Sequence, residues 1–544
     1  MLNEPVVGKS FFGRDEILSI LEKRVNALKA GYRQNVALTG QMLSGKSSIL
    51  RQFLCTLRDA SLVPVYIEVV EEPFLSFADK FIATLLYNYL ISCGHKAQND
   101  LPNLIEISEK LIPHTVSAIK KVKGEISRKG YTDAYRKLFN LTSILRQETG
   151  KSCIVILDEF HNLESFRIKK PYLHFGKVIM IQKGTMYVVS SSQKNTIRKI
   201  LSEKLALLYG NFEILEVSGF DNNTAGAFLK EKLHGFALSQ NHMDYLIDFT
   251  DGNPFYLDVI SRKINEIVNS QKLTSVDEYV IVEAFISLIY NASGTISQYF
   301  TNNIMNLLEK RLRKDYLGIL IALASGFNRL NDIAKWFNRK NNGGFSEKLK
   351  QLIELDMVYK NGVFYEVHDK VFKFWLKTVH HKKKTSLVDD VVNRQNDFKN
   401  EVRNDIFDYL RESHKNIIER IGELFLLFNG EIVEIEKKRR KLPRFIKIEV
   451  HKYENYEGLT TYQEPGKYWV CEIWRNKIDE TAISDFIEHC HPMRDKVTKK
   501  ICIALGGIET NALLLAKEKN IWVWNLNNLN DLLRLYKRHN LIYK

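Results

Sequence analysis

Gly40-Gln41-Met42-Leu43-Ser44-Gly45-Lys46-Ser47 is the stretch of this sequence whose residue types and spacing most clearly promise chemistry. Its two glycines let the backbone curl so that successive N–H groups point inward. A helix opening at Ser48-Ile49-Leu50 would add the positive end of its dipole. Such a loop cradles phosphates: Lys46 would reach the terminal phosphates of a nucleotide and the Ser47 hydroxyl would ligate Mg²⁺. A second chemical signal lies downstream, where Cys153-Ile154-Val155-Ile156-Leu157 ends in the carboxylates Asp158 and Glu159. Asp158 would hold the metal, directly or through a water. Glu159 would orient and deprotonate an attacking water as general base.

These groups need elements to hold them. Val36-Ala37-Leu38 reads as a buried strand ahead of the loop, and Leu62 to Val69 as a second. The acid-ended run is a third, Thr185 to Ser192 a fourth and Phe212 to Val217 a last core strand. Wholly apolar strands of this kind form parallel sheets, which bind ligands at their C-terminal ends. Helical patterns run from about Phe77 to Cys93 and across Leu104 to Leu145. The expected class is a multidomain α/β protein.

With 544 residues the chain is too long for one core, and two to four domains are expected. Hydrophobic residues at 45% and charged residues at 26% describe a water-soluble globular protein. No apolar run looks long enough to cross a bilayer, and MLNEPVVGKS lacks the apolar core of a signal peptide. A cytoplasmic protein without a membrane partner is expected. The six cysteines are scattered, with no C-x-x-C pair, which argues against a disulfide framework or zinc finger. A net charge of +15 favours nucleic acid or acidic surfaces as partners, with a merely lysine-rich surface as the alternative.

Phe11-Phe12-Gly13-Arg14-Asp15-Glu16 stands ahead of the loop, and Asp251-Gly252-Asn253-Pro254-Phe255 opens a helix well after it. Taken in order, these pieces resemble the archaeal-type P-loop ATPases of the STAND branch, relatives of AAA+ proteins. The resemblance implies ATP and Mg²⁺ as ligands, bound by Gly40 through Ser48. It places Gly13 and Arg14 beside the adenine and Pro254 on the base or sugar. It puts Ser190 or Ser191 on the γ-phosphate or the attacking water. One departure is Asn211, where many relatives carry an arginine after the segment matching Leu208-Tyr209-Gly210. Hydrolysis would then be slow or depend on Arg198 or Arg262.

The resemblance divides the chain into an ATPase core at 1–220, a helical lid at 221–305, a winged helix at 306–380, a helical linker at 381–416 and a restriction-endonuclease-like domain at 417–544. The winged helix shows three helical patterns and a turn at Lys360-Asn361-Gly362-Val363. It could read DNA through Asn341, Asn342, Lys348 and Lys350, or pack as a regulatory lid. The last domain offers Glu472 for a nuclease site, with Glu423 as an accessory acid. Trp474 stands where a lysine is needed, Arg475 follows it, and Leu459-Thr460-Thr461 supplies no aspartate. An inactive nuclease relative that binds nucleic acid or a partner is expected. Lys437 to Lys441 (KKRRK) could clamp phosphates or be a solvated patch, and His489-Cys490-His491 reads as structural.

The expected function is a Mg²⁺- and ATP-dependent switch acting on DNA. A DNA-binding regulator with ATP as a structural ligand is the alternative, and an ATP-gated nuclease a third. A homo-oligomer or a protein partner remains open.

Overall fold

A computed structural model describes residues 4–205, 210–307, 313–338, 344–385, 391–453, 456–464, 466–490 and 496–543. The chain divides into two units. The first comprises Met1–Gly219 together with the short segments Asn253–Phe255 and Glu354–Asp356. The second holds Phe220–Gly252, Tyr256–Ile353 and Met357–Lys544.

The first unit is built on a five-stranded sheet: β1 (Asn35–Thr39), β2 (Leu62–Glu68), β3 (Ser152–Asp158), β4 (Thr185–Ser191) and β5 (Phe212–Glu216). Its spatial order is β2-β3-β4-β1-β5, and every neighbouring pair is parallel. The strands read as unbroken apolar runs because both faces are covered. Val36, Leu38, Ile154, Ile156, Met186 and Val188 pack with Leu21, Ile49 and Phe53 on one side. Ala37, Cys153, Val155 and Leu157 pack with Phe77, Phe81 and Phe139 on the other. The helices that cover the sheet include α1 (Asp15–Lys29) and α2 (Lys46–Thr56).

The long pattern read across Leu104 to Leu145 is three helices, Leu101–Leu111, Pro113–Ser127 and Tyr131–Thr149. Pro113 opens the second, where its missing N–H costs nothing, and Gly130 stands at the N-terminus of the third. A further helix, Pro171–Ile181, has no counterpart in the sequence reading.

In the second unit, helices Asn222–Lys232, Gln240–Thr250 and Pro254–Gln271 come first, with a parallel pairing of β6 (Ala237–Leu238) and β7 (Ser275–Val276). The stretch Glu278–Met305 is long and apolar enough to span a bilayer by length and composition, against the sequence expectation of none. It is broken at residues 291–294, between a π turn ending at Tyr290 and a helix starting at Thr295, and most of it is buried inside the protein. Helices Arg313–Ala324, Leu330–Trp336 and Phe345–Glu354 follow, then the antiparallel hairpin β8 (Val358–Asn361) and β9 (Phe364–Val367). A long helix, Val391–Ser413, leads to helix Ile417–Leu426.

The remainder is a hairpin, β10 (Ile432–Ile435) with β11 (Lys438–Lys441), and a five-stranded sheet. That sheet runs β12 (Lys447–Lys452), β13 (Glu457–Glu464), β14 (Lys467–Trp474), β15 (Val497–Ala504) and β16 (Trp522–Asn525). Its first two pairings are antiparallel and its last two parallel. The charge run at 437–441 is therefore largely a strand. Val433 and Ile435, both buried, pair across it with Arg440 and Lys438 and anchor it to the core.

The turn between β8 and β9 is seated on β10. Val363 N–H donates to Ile432 O at 3.1 Å, and Glu434 N–H donates to Asn361 Oδ1 at 2.6 Å. Asn361 Nδ2 returns a bond to Glu434 O at 3.0 Å. Gly362 has φ +59°, and a Cβ there would fall 1.8 Å from Ile432 O, so only glycine fits. Phe364 completes the weld by burying its ring in the core formed by Ile418, Phe425 and Trp524.

Candidate functional site

The C-terminal ends of β1, β4 and β3 lie side by side, with Thr39 in register with Ser191 and Leu157 with Val189. The loop 40–47 leaves the first of these strands and Asp158-Glu159 closes the third, so the two chemical signals share one edge of the sheet. The loop makes its curl with Leu43 at φ +61° and Gly45 at φ +94°, and α2 starts at Lys46. Gly40 passes so near Val217 that a Cβ would sit 2.3 Å from its carbonyl oxygen. Lys46 is buried, and its ammonium donates to Gly40 O at 3.0 Å and Gln41 O at 2.7 Å. Burial lowers its pKa, opposed by the negative charges of Glu159, Asp158 and Asp356.

Asp158 is buried. Its carboxylate accepts from Tyr66 Oη at 2.8 Å, from Ser190 Oγ, and from Glu159 N–H at 3.1 Å. Glu159 sits at φ +52°. One of its oxygens accepts from both Ser192 N–H and Ser192 Oγ at 2.9 Å and lies 3.3 Å from His161 Nδ1. Burial lowers the His161 pKa, against the pull of Glu159. Glu68 ends β2 in register with Asp158. Its pKa is raised by burial first, then by Asp158 and Glu159.

The residues present fit a phosphate group and a metal. The buried Ser44 Oγ has no hydrogen-bond partner among the described residues. A lysine ammonium, a half-buried hydroxyl at Ser47 and a buried carboxylate at Asp158 converge on the same edge. Lys46, Ser47 and Asp158 are the groups that would hold Mg²⁺ and a triphosphate.

The model of an ATPase domain predominantly from Archaea matches residues 11–260. Those residues form an archaeal-type ATPase domain. An uncharacterized ATP-binding protein of Methanocaldococcus jannaschii is 25% identical over 261 residues, which cover 45% of this chain and 68% of that protein. The chain is also similar to the Walker-type ATPase paby2304 of Pyrococcus abyssi, at 18% identity and a TM-score of 0.44, covering 69% of this chain and 99% of that one. Similarity to the Aeropyrum pernix ORC1 protein, solved in complex with DNA, stands at 14% identity and a TM-score of 0.39, covering 69% and 94%. The fold of the ATPase domain rests on its own sheet and loop, since superpositions this distant decide nothing.

Several of the expected site residues have protein partners that the sequence did not announce. Ser190 and Ser191 are fully buried and engaged elsewhere. Ser190 is committed to Asp158, while Ser191 pairs with His161 Nδ1 at 3.0 Å and accepts from Gln193 N–H at 3.0 Å. They position the acid and the histidine. Ser48 Oγ accepts from Val6 N–H at 3.0 Å, so its side chain faces the N-terminal segment and not the loop interior. Met42 is exposed, leaving only its backbone for a phosphate. Gly13 and Arg14 both have positive φ, and the Arg14 guanidinium donates to Ser44 O at 3.2 Å and Ser218 O at 2.6 Å. Arg14 thus braces the loop. Pro254, expected on the base or sugar, stands beside the loop, its Cγ 3.8 Å from where a Gly45 Cβ would be.

Arg198 and Lys194 both bind Glu216, and Arg262 pairs with Asp258 at 2.7 Å. Asn211 O accepts from Asn35 N–H at 3.0 Å, while Leu208 and Tyr209 lie outside the described residues. Sequence reasoning missed Tyr66, Glu68, His161, Ser192 and Asp356. Asp356 accepts from Asn195 N–H at 3.1 Å, and burial pushes its pKa up to about 6. A serine triplet and a histidine two residues past Glu159 were the only local hints.

In the second unit, Glu472 is buried on β14. Trp474 Nε1 donates to it at 3.2 Å and His489 Nδ1 lies 3.4 Å away. His489 is 3.2 Å from both Tyr453 Oη and Tyr456 Oη, and the Tyr456 ring stacks on Tyr453 at 4.5 Å and Trp474 at 4.9 Å. Burial pushes the Glu472 carboxyl up to about 8, only partly offset by hydrogen bonds from Trp474 and Tyr456. Arg475 points instead to Glu457 at 3.3 Å, and the residue opposite Glu472 on β13 is Gly458. Glu423, expected as an accessory acid, is held by Lys415 and approached by Arg538 at 3.9 Å. His491, Asn341 and Asn342 lie outside the described residues. Lys348 is tied to Asp315 at 2.5 Å, and Lys350 is exposed.

Proposed function

We propose that this chain is a Mg²⁺- and ATP-dependent switch ATPase that acts on nucleic acid. The observation that carries the reading is the meeting of Lys46, Asp158 and Glu159 on one sheet edge, beside an unpartnered buried serine hydroxyl. When bound, Mg-ATP would supply an electrophilic γ-phosphorus and a divalent charge that offsets the developing negative charge. Lys46, now on the carbonyls of Gly40 and Gln41, would turn to phosphate oxygens, and Ser47 and Asp158 would hold the metal. Tyr66 and Ser190 hold Asp158 in place by donating to its carboxylate. Glu159, once free of Ser192, accepts the proton of the attacking water. Pro254 lies on the loop at Gly45, which suits a segment that orders when nucleotide is bound.

The STAND assignment, the lid, the winged helix at 306–380 and the nuclease-like domain at 417–544 belong to the same proposal, as do a cytoplasmic location and the domain boundaries. A nuclease reading is disfavoured by a neutral-leaning Glu472 enclosed by Trp474, Tyr456 and His489, with no lysine or arginine on it among the described residues. The structural-ligand alternative draws support from Asn211 in place of an arginine and from the bonds that occupy Glu159. ATP turnover measured with and without DNA separates the two. Stimulated turnover supports the switch, and tight ATP binding without turnover supports the structural ligand.

A further inference from the structure

Trp522, on the edge strand β16, carries two cations over its ring. Arg440 Cζ lies 4.5 Å from the indole centroid and Lys499 Nζ lies 4.4 Å from it. Cation–π attraction holds each one, but two like charges brought to a single ring repel. Lys499 Nζ is fixed further by donating to Asn520 O and Asn520 Oδ1, both at 3.0 Å. Burial, with Arg440 second, pulls the Lys499 pKa down to about 8. Neither Arg440 nor Lys499 pairs with a carboxylate among the described residues. Among the described residues this is a crowded positive site without a neutralising carboxylate, which is unfavourable until an anion arrives.

The surroundings say what kind of anion. Arg440 sits on β11, within a run of exposed cations at Lys438, Arg439 and Lys441. Residues two apart on a strand share a face, so Lys438 lies beside Arg440 while Arg439 and Lys441 face the other way. A narrow strand bearing cations on both sides suits a repeating polyanion better than a single phosphate. The indole itself is not a stacking platform. Two cations cover it, and its Nε1 is buried with no hydrogen-bond partner among the described residues. Contact would then be with phosphates and not with bases, giving affinity without sequence choice. The other candidate surface is weaker, because the β8–β9 turn is seated on β10 and Lys348 is engaged by Asp315.

We propose that Arg440 and Lys499, held together on Trp522 and extended by Lys438 on the same face of the strand, form a docking surface for the phosphodiester backbone of nucleic acid. This deepens the nucleic-acid part of the function proposed above and does not depend on ATP turnover. The test uses the full chain and fluorescence anisotropy of labelled duplex and single-stranded oligonucleotides across a salt series. Arg440→Ala with Lys499→Ala is expected to weaken binding by about tenfold or more and to lower the slope of log affinity against log salt by about 1.8 for duplex. Binding of a fluorescent ATP analogue and the unfolding profile stay unchanged. Should that double variant misfold, the exposed substitution Lys438→Glu is expected to weaken binding in the same way. Arg440→Lys with Lys499→Arg keeps the charges and retains most of the affinity.

Affinity within about twofold of the parent in both charge-removing variants would overturn the docking surface, while leaving nucleic acid as a partner through another face. A parent chain that binds phosphatidylserine vesicles but neither oligonucleotide would overturn the surface and the nucleic-acid reading together. Failure of DNA to stimulate turnover in a parent that binds DNA through these residues would remove only the switch.

Discussion

Replacing Glu472 with glutamine should change how stability depends on pH, in a direction opposite to that of a metal-binding carboxylate. In the folded protein burial pushes this carboxyl from 4.5 up to about 8. Between those values the folded state keeps a proton that the unfolded chain has lost. Stability is therefore fully present below the unfolded value and falls as pH rises toward the folded one. From about pH 5.5 to about pH 7.5 the wild type should lose about 2–3 kcal/mol relative to Glu472→Gln, at no more than about 1.36 kcal/mol per unit. Glutamine keeps an acceptor for Trp474 Nε1 and carries no charge to desolvate. Urea unfolding of both proteins at the two pH values, followed by hydrogen exchange at the amides of β14, reads the difference locally. Equal losses in the two proteins, or a glutamine variant that loses more at the higher pH, would refute the reasoning. Such a result would mean an ionised Glu472, and the nuclease question would reopen.

Lys46→Ala should abolish binding of a fluorescent ATP analogue, because the ammonium is the buried cation of the loop. Glu159→Gln should leave that binding intact and cut turnover by about 10²- to 10⁴-fold, read by phosphate release. Gly40→Ala drives a Cβ to 2.3 Å from Val217 O. It should destabilise the ATPase domain by about 1–3 kcal/mol in denaturant titrations and weaken nucleotide binding along with it.

What could be read directly from the residues was whatever the chain writes locally. The curl from Gly40 to Gly45, the buried lysine and the acidic end of β3 each follow from a short run of neighbours. Their meeting on one edge was legible as well, since parallel strands gather ligands at their C-terminal ends. Side-chain partners were not. Ser190 was read as a contact of the γ-phosphate or the water, and its bond to Asp158 was not foreseen; it follows from β4 lying directly beside β3. Ser192 and His161 stand around Glu159 through the same adjacency, which no local pattern encodes.

Farther on, β13 carries glycine, threonines and two glutamates, and it is a strand because β12 and β14 supply its ladder. The cations at 438–441 hid a strand for the same reason: its two buried anchors, Val433 and Ile435, are on the partner strand. The stretch Glu278–Met305 passed unnoticed as an apolar segment because Asn291, Ser293 and Gly294 interrupt the pattern as they interrupt the helix.

The seating of the β8–β9 turn on β10 bears on how this protein can be cut, traded or inherited. A fragment ended near 380, or one begun near 417, strips Phe364 of the company it keeps with Ile418, Phe425 and Trp524. Each half would then display a greasy scar and come out of solution. Gene-level exchange of the tail between relatives faces the same obstacle, so a swap that works must carry the hairpin along with it. The natural cassette begins ahead of the hairpin, among the helices before residue 358, and not at the charged linker that the sequence offers as an obvious seam.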